Sequence, residues 1–162
     1  MRNGRIDVKE KTRLLMLDLL EDRLADLRAL GSRAQWNQLN LREPSFIALG
    51  KLFDRVGNDS KLYAARLVER TVQLGGPAWR TGEALDAMEK RDGPAEYYSD
   101  SSSAQDQVGA LSRRLSDFRR RIQRSIESAD EAKDGKTADV FREIARGFDR
   151  YLWLADATGP SR

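Results

Sequence analysis

The chain has no cysteine and no histidine in 162 residues. Without cysteine there is no disulfide, no thiolate metal site and no thiol nucleophile. Without histidine, the commonest metal ligand and the commonest general base are missing too. Prolines number four, and aromatics make up 7% of the residues. No run of eighteen apolar residues occurs, and the amino terminus is polar and charged where a secretory signal would carry an apolar segment. These absences predict a cytoplasmic protein with no membrane association, and they leave few enzyme classes open.

What is present is 40% apolar and 34% charged residues, rich in Ala, Leu, Arg, Asp and Glu. That composition and length predict a single all-α domain. The formal charge of +3 is not spread evenly. Residues 1–13 hold Arg2, Arg5, Lys9, Lys11 and Arg13 against Asp7 and Glu10, whereas the rest of the chain has equal numbers of basic and acidic side chains. The expected organisation is a basic tail and helix start over 1–13, a helical bundle over 14–157 and a C-terminal tail over 158–162.

Four long helices are predicted from apolar recurrence at steps of three and four. The first spans about Val8 to Asn37, with Leu14, Leu17, Leu20, Leu24 and Leu27 on one stripe and Met16, Leu19 and Leu30 widening it. Pro44 at the start and Gly75-Gly76-Pro77 at the end frame a second helix, about Glu43 to Leu74. Its seam runs Phe46, Leu49, Phe53, Val56, Tyr63, Leu67 and Leu74, interrupted by Ser60 and Arg70. Gly76 to Asp100 reads as a crossover carrying a short helix, Thr81 to Glu89. A third helix follows, about Ser101 to Glu131, with the seam Val108, Leu111, Leu115, Phe118, Ile122 and Ile126. Asp134-Gly135 breaks the chain before a fourth helix, about Thr137 to Ala157, with Phe141, Ile144, Phe148, Tyr151 and Leu152 inward. Short outer links and one long crossover with an extra helix make a ferritin-like four-helix bundle.

Particular motifs strengthen that reading. QWNQLNLREPSFIALGKLFD, from Gln35 to Asp54, resembles the HWN…GPxFxxLHxLFD signature of the Dps family, the mini-ferritins of starved bacteria. VERTVQLGG and TGEAL follow in the family's order, and KTADVFREIARGFDRYLWLADA is similar to its TAD…LW segment. The resemblance implies a dodecameric shell, with a ferrous-oxidising site shared between two-fold-related subunits and a mineral store inside. Residue by residue, however, the family's two site histidines fall on Gln35 and Gly50, and one of its aspartates falls on Ala65. Only Asp54 and Glu69 match, and they are the residual positions at which the resemblance would place iron. Gln35 offers one neutral carbonyl oxygen, a weak replacement for imidazole. At about 100° per residue, Gly50, Asp54, Ala65 and Glu69 share one helix face, and Lys61 falls on the same face. Trp36, near the iron site in the family, reads as a packing or interface anchor. Asp134 and Asp139 match the acidic positions that line a cation pore in the family; Asp139 also suits the first turn of a helix as a dipole partner.

The expected function is a Dps-like cage that binds DNA nonspecifically and protects it in stress, associated with the nucleoid, with its ferroxidase centre absent or impaired. Arg2, Arg5, Lys9, Lys11 and Arg13 are the expected phosphate contacts. A second basic face lies on the third helix, where Arg113, Arg120 and Arg124 sit opposite the seam and Arg114, Arg119 and Arg121 flank them. Such binding would be sequence-independent and salt-sensitive. Two alternatives stand beside it: an oxidoreductase that still oxidises and stores iron through a non-standard site of Asp54, Glu69, Gln35 and other cavity carboxylates, and a structural subunit that co-assembles with a competent relative.

Overall fold

A computed structural model describes residues 9–39, 47–77 and 104–158. Its elements are α1 (Glu10–Leu39), α2 (Ile47–Gln73), α3 (Ala104–Glu131) and α4 (Gly135–Thr158), with no strand among the described residues. Each falls where the apolar periodicity puts it. Boundaries shift by a few residues: α1 continues past Gly31 and Ser32 to Leu39, and α4 begins at Gly135 instead of Thr137. The predicted short helix over 81–89 lies outside the described residues.

α1 packs along α2 and α3 along α4, and the two hairpins meet through α2–α4 and α1–α3 contacts. Contacting residues give the directions. Gln35 meets Gly57 while Leu17 meets Gly76, so α1 and α2 are antiparallel. Arg119 pairs with Asp149 and Arg142 with Asp130, so α3 and α4 are antiparallel too. Asp59 meets Tyr151 and Arg70 meets Asp134, which sets α4 antiparallel to α2. It follows that α2 and α3 point the same way, the topology of a ferritin-like bundle with one long crossover.

The core is a single apolar cluster drawn from all four helices. The whole predicted seam of α3 is buried, from Val108 to Ile126. In α1, Leu20, Leu24 and Leu27 are buried, but Leu14 is 51% exposed. In α4, Leu152 is only partly buried, and small residues, Ala145, Gly147 and Ala155, lie fully inside instead.

Two turns are closed by the same device. At the end of α2 the Gly76 N–H donates to the Thr71 carbonyl and the Gly75 N–H to that of Val72, both at 2.9 Å. Gly75 has a φ of 80°. This is a Schellman motif with glycine at the left-handed position, followed by Pro77. At the end of α3 the Asp134 N–H reaches Ala129 (2.9 Å) and the Lys133 N–H reaches Asp130 (3.0 Å), with Lys133 at a φ of 63°. Here a residue with a Cβ occupies the glycine place.

Asp134 then caps α4. Its carboxylate accepts from the Thr137 backbone N–H (3.2 Å) and from the Thr137 hydroxyl (2.5 Å), which satisfies donors left open in the first turn. The same carboxylate receives Arg70 at 2.9 Å, and Arg70 Nε donates to Thr137 Oγ1, also at 2.9 Å. Both residues that interrupt the predicted α2 seam are therefore buried: Arg70 in this polar cluster, and Ser60 against Gly31 of α1.

The seam between α2 and α4 has four rungs. Tyr151 donates to Asp59, Tyr63 lies against Gly147, Arg66 pairs with Glu143 (3.0 Å) and Arg70 pairs with Asp134. They recur at about one helical turn along α2.

Candidate functional site

A cleft lies between α1 and α2. It has a volume of about 510 Å³, and Arg28, Gln35, Ser60, Lys61 and Ala65 are among its lining residues. Close helix approach makes its floor. A Cβ on Gly57 would stand 2.8 Å from Gln35 Cγ, and one on Gly31 would stand 3.1 Å from Ser60 Cβ. Arg28 is 8% exposed and Ser60 3%. No carboxylate lines the cleft, while two cationic side chains do.

Gln35 and Ala65, two of the positions that the sequence resemblance aligns with iron ligands, line this cleft together. Gly50 is half-buried, and Asp54 and Glu69 are exposed on the outer face of α2. Glu69 accepts from Arg66 of its own helix at 3.3 Å. Asp54 and Lys61 have no ion-pair partner among the described residues.

The shared face predicted for Gly50, Asp54, Ala65 and Glu69 is real as an azimuth but does not gather them. At a rise of about 1.5 Å per residue, Asp54 and Ala65 are roughly 16 Å apart along the axis, and Asp54 and Glu69 roughly 22 Å. One protomer therefore cannot close these residues around one ion. Among the described residues, no group of three or more Asp and Glu side chains is arranged to hold a metal. Trp36 is half-buried near the end of α1.

The acidic pair near the fourth helix separates into two environments. Asp134 is 4% exposed, and its oxygens are taken by Thr137 and Arg70. Asp139 is exposed and accepts from Arg142 Nη1 at 3.0 Å. The helix-start role considered for Asp139 belongs to Asp134, five residues earlier, because that is where the α4 backbone first leaves its N–H groups open.

The basic leader divides similarly. Arg2 and Arg5 lie outside the described residues. Lys9 and Lys11 are exposed. Arg13 is not part of a solvated tail: its Nη1 donates to the Leu74 carbonyl at the end of α2 (3.2 Å), and its guanidinium binds Glu10 at 2.7 Å. The hydrogen bond from Arg13 holds the Glu10 carboxyl below the usual carboxylate range.

On α3 the arginine face is balanced in part, and two of its arginines meet acids brought from other helices, which the sequence of α3 alone does not display. Arg119 pairs with Asp149 and Arg121 with Asp26, each at 2.8 Å, and Arg120 pairs with Asp117. Arg113 and Arg124 stay exposed without an ion-pair partner among the described residues.

Comparison with known proteins agrees with this architecture. The Ferritin family, described as a ferritin-like domain, matches residues 17–158. The chain is 30% identical over 154 residues to the DNA protection during starvation protein of Agrobacterium fabrum, covering 93% of this chain and 91% of that one. Among solved structures, Dps from Microbacterium arborescens in the high iron form is 25% identical, with a TM-score of 0.75, covering 92% of this chain and 95% of the other. A Dps protein from Bacillus brevis shares the fold at 23% identity and a TM-score of 0.76, over 93% and 98% of the two chains. With its four helices, one long crossover and this span of similarity, the chain belongs to the Dps family of ferritin-like proteins.

Proposed function

We propose that this protein is a Dps-family cage subunit that binds DNA nonspecifically and shields it, and whose iron-oxidising centre is lost or badly impaired. One observation carries the reading: Gln35, Gly50 and Ala65 stand at three ligand positions of the resembled iron site, leaving only Asp54 and Glu69. A neutral amide, a glycine and an alanine supply neither the nitrogen nor the carboxylate donors that hold iron while leaving positions open for oxidant.

The DNA part is supported by the Agrobacterium fabrum relative, a DNA protection during starvation protein, and by cationic side chains free to meet phosphate. These are Lys9 and Lys11 ahead of and within the first turn of α1, with Arg113 and Arg124 on α3. Repeated around a dodecameric assembly, weak contacts of this kind would gain roughly 10²-fold or more in avidity. Association with the nucleoid follows from the same contacts.

Gel retardation of linear duplex over a salt series tests the reading, run on the parent chain, on a chain lacking residues 1–11, and on R113E/R124E. Expected is retardation at low salt that falls steeply as salt rises and is mostly lost in the truncated chain. Equal retardation by the truncated chain, with loss in R113E/R124E, moves the contact to α3. Absence of retardation by the parent chain at low salt overturns the DNA reading.

A second reading has iron as substrate and cargo. The observation in its favour is the retention of Asp54 and Glu69, together with 25% identity to a Dps whose structure is in the high iron form. Anaerobic ferrous titration followed by air separates the two: saturable, stoichiometric oxidation favours the iron reading, and oxidation no faster than buffer favours the first. Restored activity only on mixing with a related subunit would identify a co-assembling structural partner.

A further inference from the structure

The cleft between α1 and α2 carries the chemistry of an anion site. Arg28, Ser32 and Gln35 follow one another at steps of four and three on α1 and so share one helix face, while Ser60 and Lys61 bring further donors from α2. Each of these side chains can donate a hydrogen bond. Lys61 is exposed at the cleft and has no ion-pair partner among the described residues. Arg28 is 8% exposed, and a guanidinium keeps its charge throughout the physiological pH range. A divalent metal ion would need carboxylate or imidazole donors, and neither lines this cleft among the described residues.

Ser60 adds an independent observation. Its Oγ is buried without a hydrogen-bond partner, and the residue is 3% exposed. A hydroxyl within a helix commonly donates to the carbonyl four residues earlier, as Thr71 does to Leu67 at 2.8 Å. Ser60 does not, and a buried hydroxyl left in that state is destabilising until an acceptor reaches it. Two glycines keep the floor open around it. A Cβ on Gly31 would stand 3.1 Å from Ser60 Cβ and 3.7 Å from its Oγ, and a Cβ on Gly57 would meet Gln35 Cγ at 2.8 Å. The floor is thereby left to a hydroxyl and an amide. The volume of about 510 Å³ lies within the range of small-molecule sites, roughly 300–1,000 Å³, and Leu27, Ala64 and Ala65 supply apolar wall.

We propose that this cleft binds a small oxyanion of the phosphate type, free or carried as the monoester of a small organic molecule. Lys61 and Arg28 meet its charge, and Ser60 donates to one of its oxygens. The inference rests on the functional reading above in one respect. Ala65 stands where the resemblance places an aspartate, so the negative charge that would repel an anion is absent along with a donor for iron. DNA binding plays no part in it.

Calorimetric titration and phosphorus NMR of the full chain in metal-free buffer containing EDTA test it. The probes are inorganic phosphate and glycerol 1-phosphate, with chloride at matched ionic strength as the control. Expected is saturable binding at one site per chain, with a rise in melting temperature that chloride does not reproduce. K61M and S60A are each expected to weaken binding about tenfold or more, whereas K51M, on the same helix but outside the cleft, binds like the parent. Without ligand, S60A is expected to melt no lower than the parent, because it removes an unpartnered hydroxyl. Loss of the ligand is thus separated from loss of the fold. Tighter binding of glycerol 1-phosphate identifies an organic carrier, and equal or weaker binding of it identifies free phosphate. Three results overturn the inference: no saturable binding of either probe, K61M or S60A binding as tightly as the parent, or binding that appears only when a divalent cation is added. Iron and DNA are absent from these samples, so the anion site fails or stands independently of the ferrous titration and of gel retardation.

Discussion

Arg70 of α2 and Asp134 at the head of α4 form a buried ion pair, 2.9 Å apart, with 8% and 3% of their side chains exposed. A pair so enclosed is costly to leave half made, because the remaining charge keeps its desolvation without its partner. Asp134→Ala also removes the cap of α4. It is expected to destabilise the fold by about 3 kcal/mol or more, read as a lower urea midpoint at unchanged slope. Asp134→Asn keeps an oxygen for Thr137 and should lose less. A smaller effect for Asp134→Ala than for Asp134→Asn would contradict this account.

Gly147 is required by the approach of Tyr63. A Cβ placed there would stand 2.0 Å from the Tyr63 hydroxyl oxygen and 2.7 Å from the ring carbon that bears it. Gly147→Ala should therefore cost about 1–3 kcal/mol by overpacking, although alanine is the better helix former. Combining it with Tyr63→Phe, which removes the oxygen in closest conflict, should recover part of the loss. Thermal melts of the two variants and the combination decide the matter.

Lys133 holds a left-handed backbone at a φ of 63°, in the place that glycine fills at Gly75. An L-residue with a Cβ pays roughly 1 kcal/mol there. Lys133→Gly should be neutral to stabilising by up to about 1 kcal/mol, since relief of strain is partly offset by the freer unfolded chain. A clear drop in melting temperature would mean that the side chain supports the turn in some other way.

Tyr151 sits in the core with its hydroxyl donating to Asp59. Burial first, and then that hydrogen bond, raises its ionisation well above the ordinary phenol value. A raised folded value means that the unfolded chain releases this proton first as pH climbs. The contribution to stability is thus complete below about pH 10, the unperturbed phenol value, and declines as pH rises beyond it. Melting temperatures from pH 8 to 11 should show the decline, and Tyr151→Phe should flatten it while lowering stability at neutral pH.

Gln35→His, Gly50→His and Ala65→Asp together restore the missing donor types at the family positions. The triple variant should oxidise ferrous iron faster than the parent chain in stopped-flow absorbance. Because these positions cannot meet within one protomer, the gain should disappear in dissociated protomers. An equal gain in dissociated protomers would show that iron is oxidised somewhere else.

The elements were legible because helical periodicity is local. The α3 seam from Val108 to Ile126 needed nothing beyond spacing, and it is buried throughout. The motifs from Gln35 to Asp54 were enough to indicate the bundle type. What escaped the sequence is non-local or depends on height along an axis. Arg70 read as an interruption because its partner is 64 positions away in sequence. Arg119 and Arg121 read as free charge because Asp149 and Asp26 arrive from other helices. Azimuth put Asp54 and Glu69 on one face, but only the rise per residue shows that they stand far apart. The exposed Leu14 and the buried Ala145 show a further limit: periodicity ranks residues by type, whereas burial is decided by where the neighbouring helix lies.

The four rungs between α2 and α4 also act as a vernier for assembly of the fold. Each helical hairpin can form from contacts near in sequence, but the two can dock only where Asp59, Tyr63, Arg66 and Arg70 meet their counterparts together. Sliding one hairpin past the other by one turn, about 5.4 Å, would strand a buried guanidinium and bring the Tyr63 ring against a side chain larger than Gly147. Misregistered docking is thereby penalised at several points at once, and the bundle keeps one alignment although its apolar stripes alone would tolerate others.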